Sequence, residues 1–134
     1  MDEITLLRPE GLVNSPAFSH VAVVPPGAMT IYVGGQNAVD ATGALVGGDD
    51  AAAQTRQVMA NLETALAAAG ATIADVVSMS LLIVDGIDLN AAYAVAAESL
   101  ASAGDPPLVS AALVPALAVP GALLELSATA AVLR

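Results

Sequence analysis

The chain contains no cysteine and no lysine. The first absence excludes disulfides, thiolate metal ligands and a cysteine nucleophile. The second excludes a Schiff-base lysine and a phosphate-loop lysine. Histidine occurs once, at His20, so with no cysteine beside it a transition-metal site is not expected. Aromatic residues make up only 2% of the chain: Phe18, Tyr32 and Tyr93. Positive charge is equally scarce, with Arg8, Arg56 and Arg134 set against 13 acidic residues for a net charge of −10. A surface this acidic repels phosphate backbones and anionic lipid, so neither nucleic acid nor a membrane is an expected partner. It also disfavours anionic substrates unless a local cation receives them. Long apolar runs are missing too, because Ala111–Leu124 is interrupted by Pro115, Pro120 and Gly121 and is too short to span a bilayer. The opening residues MDEITLLRPEG carry two acids and no basic segment followed by an apolar one. They do not read as a signal peptide, and a cytoplasmic location is the expectation.

What remains is a chain of 134 residues that is 57% hydrophobic, one domain's worth, whose core must be built from Ala, Val, Leu and Ile. Small side chains bury little area, at about 25 cal/mol per Å², so burial between subunits is expected to supplement the core. Phe18–Val24 and Met29–Val33 read as a hairpin around Pro25-Pro26-Gly27, with Gly34-Gly35 ending it at a bulge or a close backbone approach. Asp49 or Asp50 caps a helix over Ala51–Ala69, with Val58, Leu62, Leu66 and Ala69 on one face and Gly70 as the stop. Thr72 caps a short turn, and Val76–Val84 reads as a strand buried on both faces. Asp88 caps a second helix over Leu89–Ser102, with Leu89, Ala92, Tyr93, Ala96 and Leu100 facing inward. Leu108–Val114 and Leu123–Leu133 read as closing strands. On the last strand Leu124, Leu126 and Ala128 alternate with Glu125, Ser127 and Thr129. The order is ββαβαββ, with the two helices expected on one face of a mixed sheet. Because the strands carry apolar residues on both sides, a symmetric partner is expected on the other face.

This series resembles the RidA/YjgF family across essentially the whole chain. The matching pieces are Phe18-Ser19-His20, Tyr32–Gln36 (YVGGQ), Thr42–Gly48 (TGALVGG), Gln54–Val77, Asp88–Tyr93 and Gly121–Ala128 (GALLELSA). The resemblance implies a chorismate-mutase-like α+β fold, residues 1–134 as one domain, and a homotrimer with a ligand cleft at each subunit interface. It also implies hydrolysis of enamines and imines such as 2-aminoacrylate, with no cofactor. In that family an arginine after the second helix clamps the substrate carboxylate, a use suited to guanidinium geometry. Counting back from Gly121, its position falls at Leu108, and neither Pro107 nor Val109 is basic.

The resemblance assigns the family's catalytic carboxylate to Glu125 and a backbone contributor to Ser110. Gly35 would line the cleft, and Phe18 and Tyr93 would be its walls, with Tyr93 where the family places a polar residue. From the residues alone, Glu125 is equally a solvated or barrel-lining carboxylate, Phe18 and Tyr93 equally core fillers, and His20 a structural hydrogen-bonding group. Two functions stay open. One is an imine or enamine hydrolase whose substrate lacks the carboxylate handle. The other is a trimeric small-molecule-binding protein that kept the cleft without catalysis. The endoribonuclease activity sometimes attached to the family fits poorly with three arginines and a net charge of −10.

Overall fold

The computed structural model describes residues 2–101 and 104–134. Its longer helix, α1 (Ala51–Ala68), starts at Asp50, whose carboxylate accepts the Ala53 backbone N–H at 3.2 Å. The alanine-rich sequence favours a helix, and Val58, Leu62 and Leu66 fall on one buried face. The helix ends in a Schellman arrangement: Ala71 N–H donates to the Leu66 carbonyl at 2.9 Å and Gly70 N–H to that of Ala67 at 3.0 Å. Gly70, at φ +75°, makes that exit possible. The following turn, Ile73–Asp75, is held by the Asp75 carboxylate accepting Thr72 N–H at 2.8 Å.

The strands are β1 (Thr5–Leu7), β2 (Val21–Val23), β3 (Met29–Gln36), β4 (Val76–Val84), β5 (Leu108–Val114) and β6 (Leu124–Val132). The second helix, α2 (Leu89–Leu100), is capped by Asp88. The predicted extension of α2 to Ser102 falls outside the described residues. The main sheet has the order β3-β6-β4-β5, and only β4 and β5, joined through α2, are parallel. The core lies between α1 and the sheet, where Val58, Leu62 and Leu66 meet Met79, Leu124 and Leu126. Both helices cover this one face, as predicted.

Three expectations need correction. The predicted hairpin does not form: β2 pairs with β1 in a small separate sheet, while β3 pairs with β6. Tight hairpins need left-handed backbone at the first turn position, which the fixed φ of Pro25 and Pro26 denies. Next, β3 continues through Gly34-Gly35 to Gln36, with the predicted bulge inside it as a register shift between Val33 and Gln36. Within a single chain Ser80 and Leu82 leave the second face of β4 exposed, the face for which the sequence predicts a symmetric partner. Finally, on α2 Val95 is the buried residue, whereas Leu89 and Tyr93, predicted to face inward, are 47% and 59% exposed.

Candidate functional site

The alternation along β6 sets the site. Leu124, Leu126, Ala128 and Ala130 are buried under the helices, so Glu125, Ser127 and Thr129 stand on the opposite, open face of the sheet. Strand register then builds three rows across that face. Glu125 pairs with Leu82 and Leu82 with Ala112; Ser127 pairs with Ser80 and Ser80 with Ser110; Thr129 lies between Tyr32 and Ser78, which pairs with Leu108. The face therefore mixes hydroxyls at its middle with Tyr32, Leu82, Leu108 and the Val84–Val114 pair as its larger apolar groups, where the sequence led to a mainly apolar surface. The Ser78 and Ser80 spacing of two was the signal for it.

Four of the six predicted residues share this face. Gly35 and Glu125 are in direct apposition. A Cβ built on Gly35 would lie 2.9 Å from both Cδ and Oε2 of Glu125, so the carboxyl group rests against bare backbone. Ser110 and Leu108 lie on the same face but on β5, two strands from β6. Glu125's own row reaches β5 at Ala112, so at about 4.8 Å per strand and 3.3 Å per residue Ser110 and Leu108 are roughly 12 and 16 Å from Glu125. Leu108 is flanked by Ser78 on one side and bridges to Ser19 on the other. Val109 faces the helices instead, so no shift of one residue would bring a cation to this face.

The other two predicted residues lie on the helix side of the sheet. Phe18 and Tyr93 both line a cavity of about 550 Å³ between α2 and the strands. Phe18 makes an edge-on contact with His20 at 5.3 Å between ring centroids. His20 Nε2 is 2.7 Å from the Val13 carbonyl and its backbone N–H donates to that of Leu7, so the lone histidine has a structural part, as expected.

Sequence reasoning missed the amides that hold Glu125 in place. Gln54 is fully buried in α1; its Nε2 donates to the Gly48 and Gly121 carbonyls, and its Oε1 accepts Leu123 N–H at 2.8 Å. Asn37 Nδ2 donates to the Leu124 carbonyl at 3.2 Å, and Asn61 Nδ2 donates to the carbonyls of Asn37 and Val39. These bonds tie the end of β3 and the start of β6 to one helix, on both sides of the Gly35–Glu125 contact. A polar amide inside an alanine-rich helix was the available signal.

The three arginines are placed elsewhere. Arg8 pairs with Asp105 at 3.4 Å, Arg134 donates to the Ala69 carbonyl at 3.1 Å, and Arg56 is exposed on α1. Among the described residues no cluster of His, Asp and Glu is arranged to hold a metal ion, and no helix is long and apolar enough to cross a membrane.

The sequence profile described as Endoribonuclease L-PSP matches residues 12–132. No curated protein matches. Among solved structures, YyfB of Yersinia pestis, a Rid-family protein of unknown function, is 39% identical with a TM-score of 0.84, covering 98% of this chain and 100% of its own. Rv2704 of Mycobacterium tuberculosis, from the YjgF/YER057c/UK114 family, is 30% identical with a TM-score of 0.64, covering 97% and 100%. YyfA of Yersinia pestis, also a Rid-family protein of unknown function, is 26% identical with a TM-score of 0.70, covering 97% and 100%.

Proposed function

The chain belongs to the Endoribonuclease L-PSP family, the Rid/YjgF proteins, and within it we propose a cofactor-independent hydrolase of reactive imines and enamines whose substrate carries no carboxylate. The observation that carries this reading is the apposition of Glu125 to the bare backbone of Gly35, on a face with hydroxyls and no cation. Glu125 takes a proton from water as the water oxygen bonds to the imine carbon. The C=N electron pair moves to nitrogen, which receives that proton from Glu125, giving a carbinolamine. Glu125 then takes the carbinolamine hydroxyl proton as the C=O bond forms and passes it to the nitrogen as the C–N bond breaks, yielding a carbonyl compound and ammonia. An enamine enters the same path after protonation at carbon. Polar backbone near Gly35 and Ser110 holds the substrate.

Leu108 sets the substrate class. A charged bidentate pair to a carboxylate is worth about 2–4 kcal/mol, or roughly 30- to 1000-fold in binding and rate. With leucine in that position and a net charge of −10, a neutral imine is favoured over an amino-acid-derived one. Leu108, at the start of β5, lies two strands across and four residues along from Glu125's row, roughly 16 Å away, and this gap supports a cleft completed by a second copy, so we propose a site at the interfaces of a homotrimer. The family's ribonuclease description finds little support, since all three arginines lie off this face.

The test compares turnover of 2-aminoacrylate generated in situ with that of a neutral aliphatic ketimine. Wild type should prefer the ketimine, Glu125→Gln should lose turnover of it, and Leu108→Arg should gain activity on 2-aminoacrylate. Full wild-type activity on 2-aminoacrylate would sink the Leu108 argument. The missing clamp also favours a second reading, a non-catalytic trimeric binding protein. Saturable ketimine binding without product, in wild type and Leu108→Arg alike, would establish that reading instead.

A further inference from the structure

The helix side of the sheet holds a second feature that the reaction above does not use. α2 packs along α1 and the Ile73–Asp75 turn but makes little contact with the strands beneath it. The gap is the cavity of about 550 Å³ already described, floored by Met79, Leu81 and Val109 and roofed by Ala92, Ala96 and Leu100. Its walls are apolar almost throughout. Among the described residues no charged side chain lines it, and only Thr55 and Tyr93 bring a polar side-chain atom. The Thr55 hydroxyl is already committed to the Ala51 carbonyl at 2.7 Å, whereas Tyr93 is 59% exposed and stands at the rim.

Protein interiors rarely leave spaces much larger than a water molecule, because each void forfeits contacts on its walls. Here the space follows from composition: alanines at 92, 96 and 111 stand where larger side chains would close it. The walls offer water almost nothing to bond to, and the opening to solvent beside the exposed Leu89 and Tyr93 gives an apolar guest a way in. The volume lies in the range that encloses a drug-sized ligand.

We propose that this cavity is a binding site for a neutral, apolar small molecule with at most one hydroxyl or carbonyl, placed toward Tyr93. An acid of the same carbon skeleton is excluded, because no cation faces the cavity and the whole chain is strongly acidic. The site lies across the sheet from Glu125 and shares no residue with Gly35, Leu108, Ser110 or Glu125.

The probe is Nile red, a neutral dye whose emission rises and shifts to the blue in apolar surroundings. Wild type should bind it saturably with one molecule per chain. Ala96→Phe and Ala111→Phe, which fill the space from roof and floor, should each weaken binding at least tenfold and raise the melting temperature. Ala60→Phe, on the exposed side of α1, should leave binding unchanged. Dodecanol should displace the dye and dodecanoate should not. Circular dichroism shows whether each variant is folded, and having two filling positions keeps the test decisive if one fails. Absence of saturable binding, or binding that survives both filling variants, would overturn the proposal and mean that α2 closes onto the sheet. Displacement by dodecanoate as strong as by dodecanol would overturn the ligand class.

Discussion

At the residue scale, four glycines leave room for a close neighbour, and at Gly35 that neighbour is a carboxylate. Gly35 is not in the left-handed region, so alanine meets no backbone strain there. What its Cβ meets is the mobile end of Glu125, at 2.9 Å. Gly35→Ala should therefore fold with a melting temperature near wild type while pushing the carboxyl group aside. Imine turnover should fall tenfold or more, and the pairing of normal stability with lost turnover is what to measure. A variant equally active would mean that the carboxylate needs no defined position. Asp40 is a second carboxylate held by its neighbours, here for structure. It accepts the Thr42 hydroxyl at 2.6 Å, Thr42 N–H at 2.9 Å and Ala44 N–H at 3.1 Å. The Thr42 hydroxyl first, then these backbone donors, hold its pKa below the ordinary 3.8. The folded value lies below the unfolded one, so the loop's stabilisation is complete above the ordinary carboxylate range and is lost as pH falls through the folded value. Carbon-detected NMR titration should show Asp40 titrating below the exposed aspartates, and Thr42→Val should bring it back toward them.

At the scale of elements, α1 and α2 differ in what anchors them. α1 is capped at both ends, buries a full face and carries Gln54, whose loss strands two carbonyls and one N–H. Gln54→Leu should cost about 3 kcal/mol, read by urea denaturation, since each unsatisfied buried group costs roughly 1–3 kcal/mol. α2 buries only Val95 completely, so its amides should exchange with solvent well before those of α1. This contrast also explains what the sequence made legible. The caps at Asp50 and Asp88, the glycine exit at Gly70, the periodic Val58, Leu62 and Leu66, and the alternation around Glu125 are local signals, and each appears where it was read. The partner of β2 and the burial of Tyr93 depend on contacts distant in sequence, which a local pattern does not contain. Leu89 and Tyr93 sit at helical spacing with Ala92, Ala96 and Leu100, but periodicity shows only which residues share a face, not whether anything touches it. In the same way the family resemblance named Phe18 and Glu125 together, while the register sends them to opposite faces of the sheet.

At the scale of the molecule, charge argues for assembly. The chain carries 13 acidic side chains, yet on the rows that span the open face Glu125 is the one charged group. Subunits of net charge −10 repel one another, so an interface between them must be nearly free of charge. The cores of protein interfaces are depleted of charged residues and enriched in tyrosine. Tyr32, 81% exposed, and Leu82 fit such a surface. On this argument a trimer built on the open face should tighten as salt screens the repulsion between subunits, with a Debye length of about 10 Å at 0.1 M. Leu82→Glu adds a like charge beside Glu125 in each copy and should release folded monomers. Leu126→Glu, on the buried face, should unfold the chain instead, because Leu126 is only 1% exposed. Sedimentation velocity with circular dichroism separates the two outcomes. A trimer that survives Leu82→Glu would place the interface elsewhere, a wild-type monomer at micromolar concentration would remove it, and either would leave Glu125 facing solvent. The proposed chemistry would then have no enclosed site in which to occur.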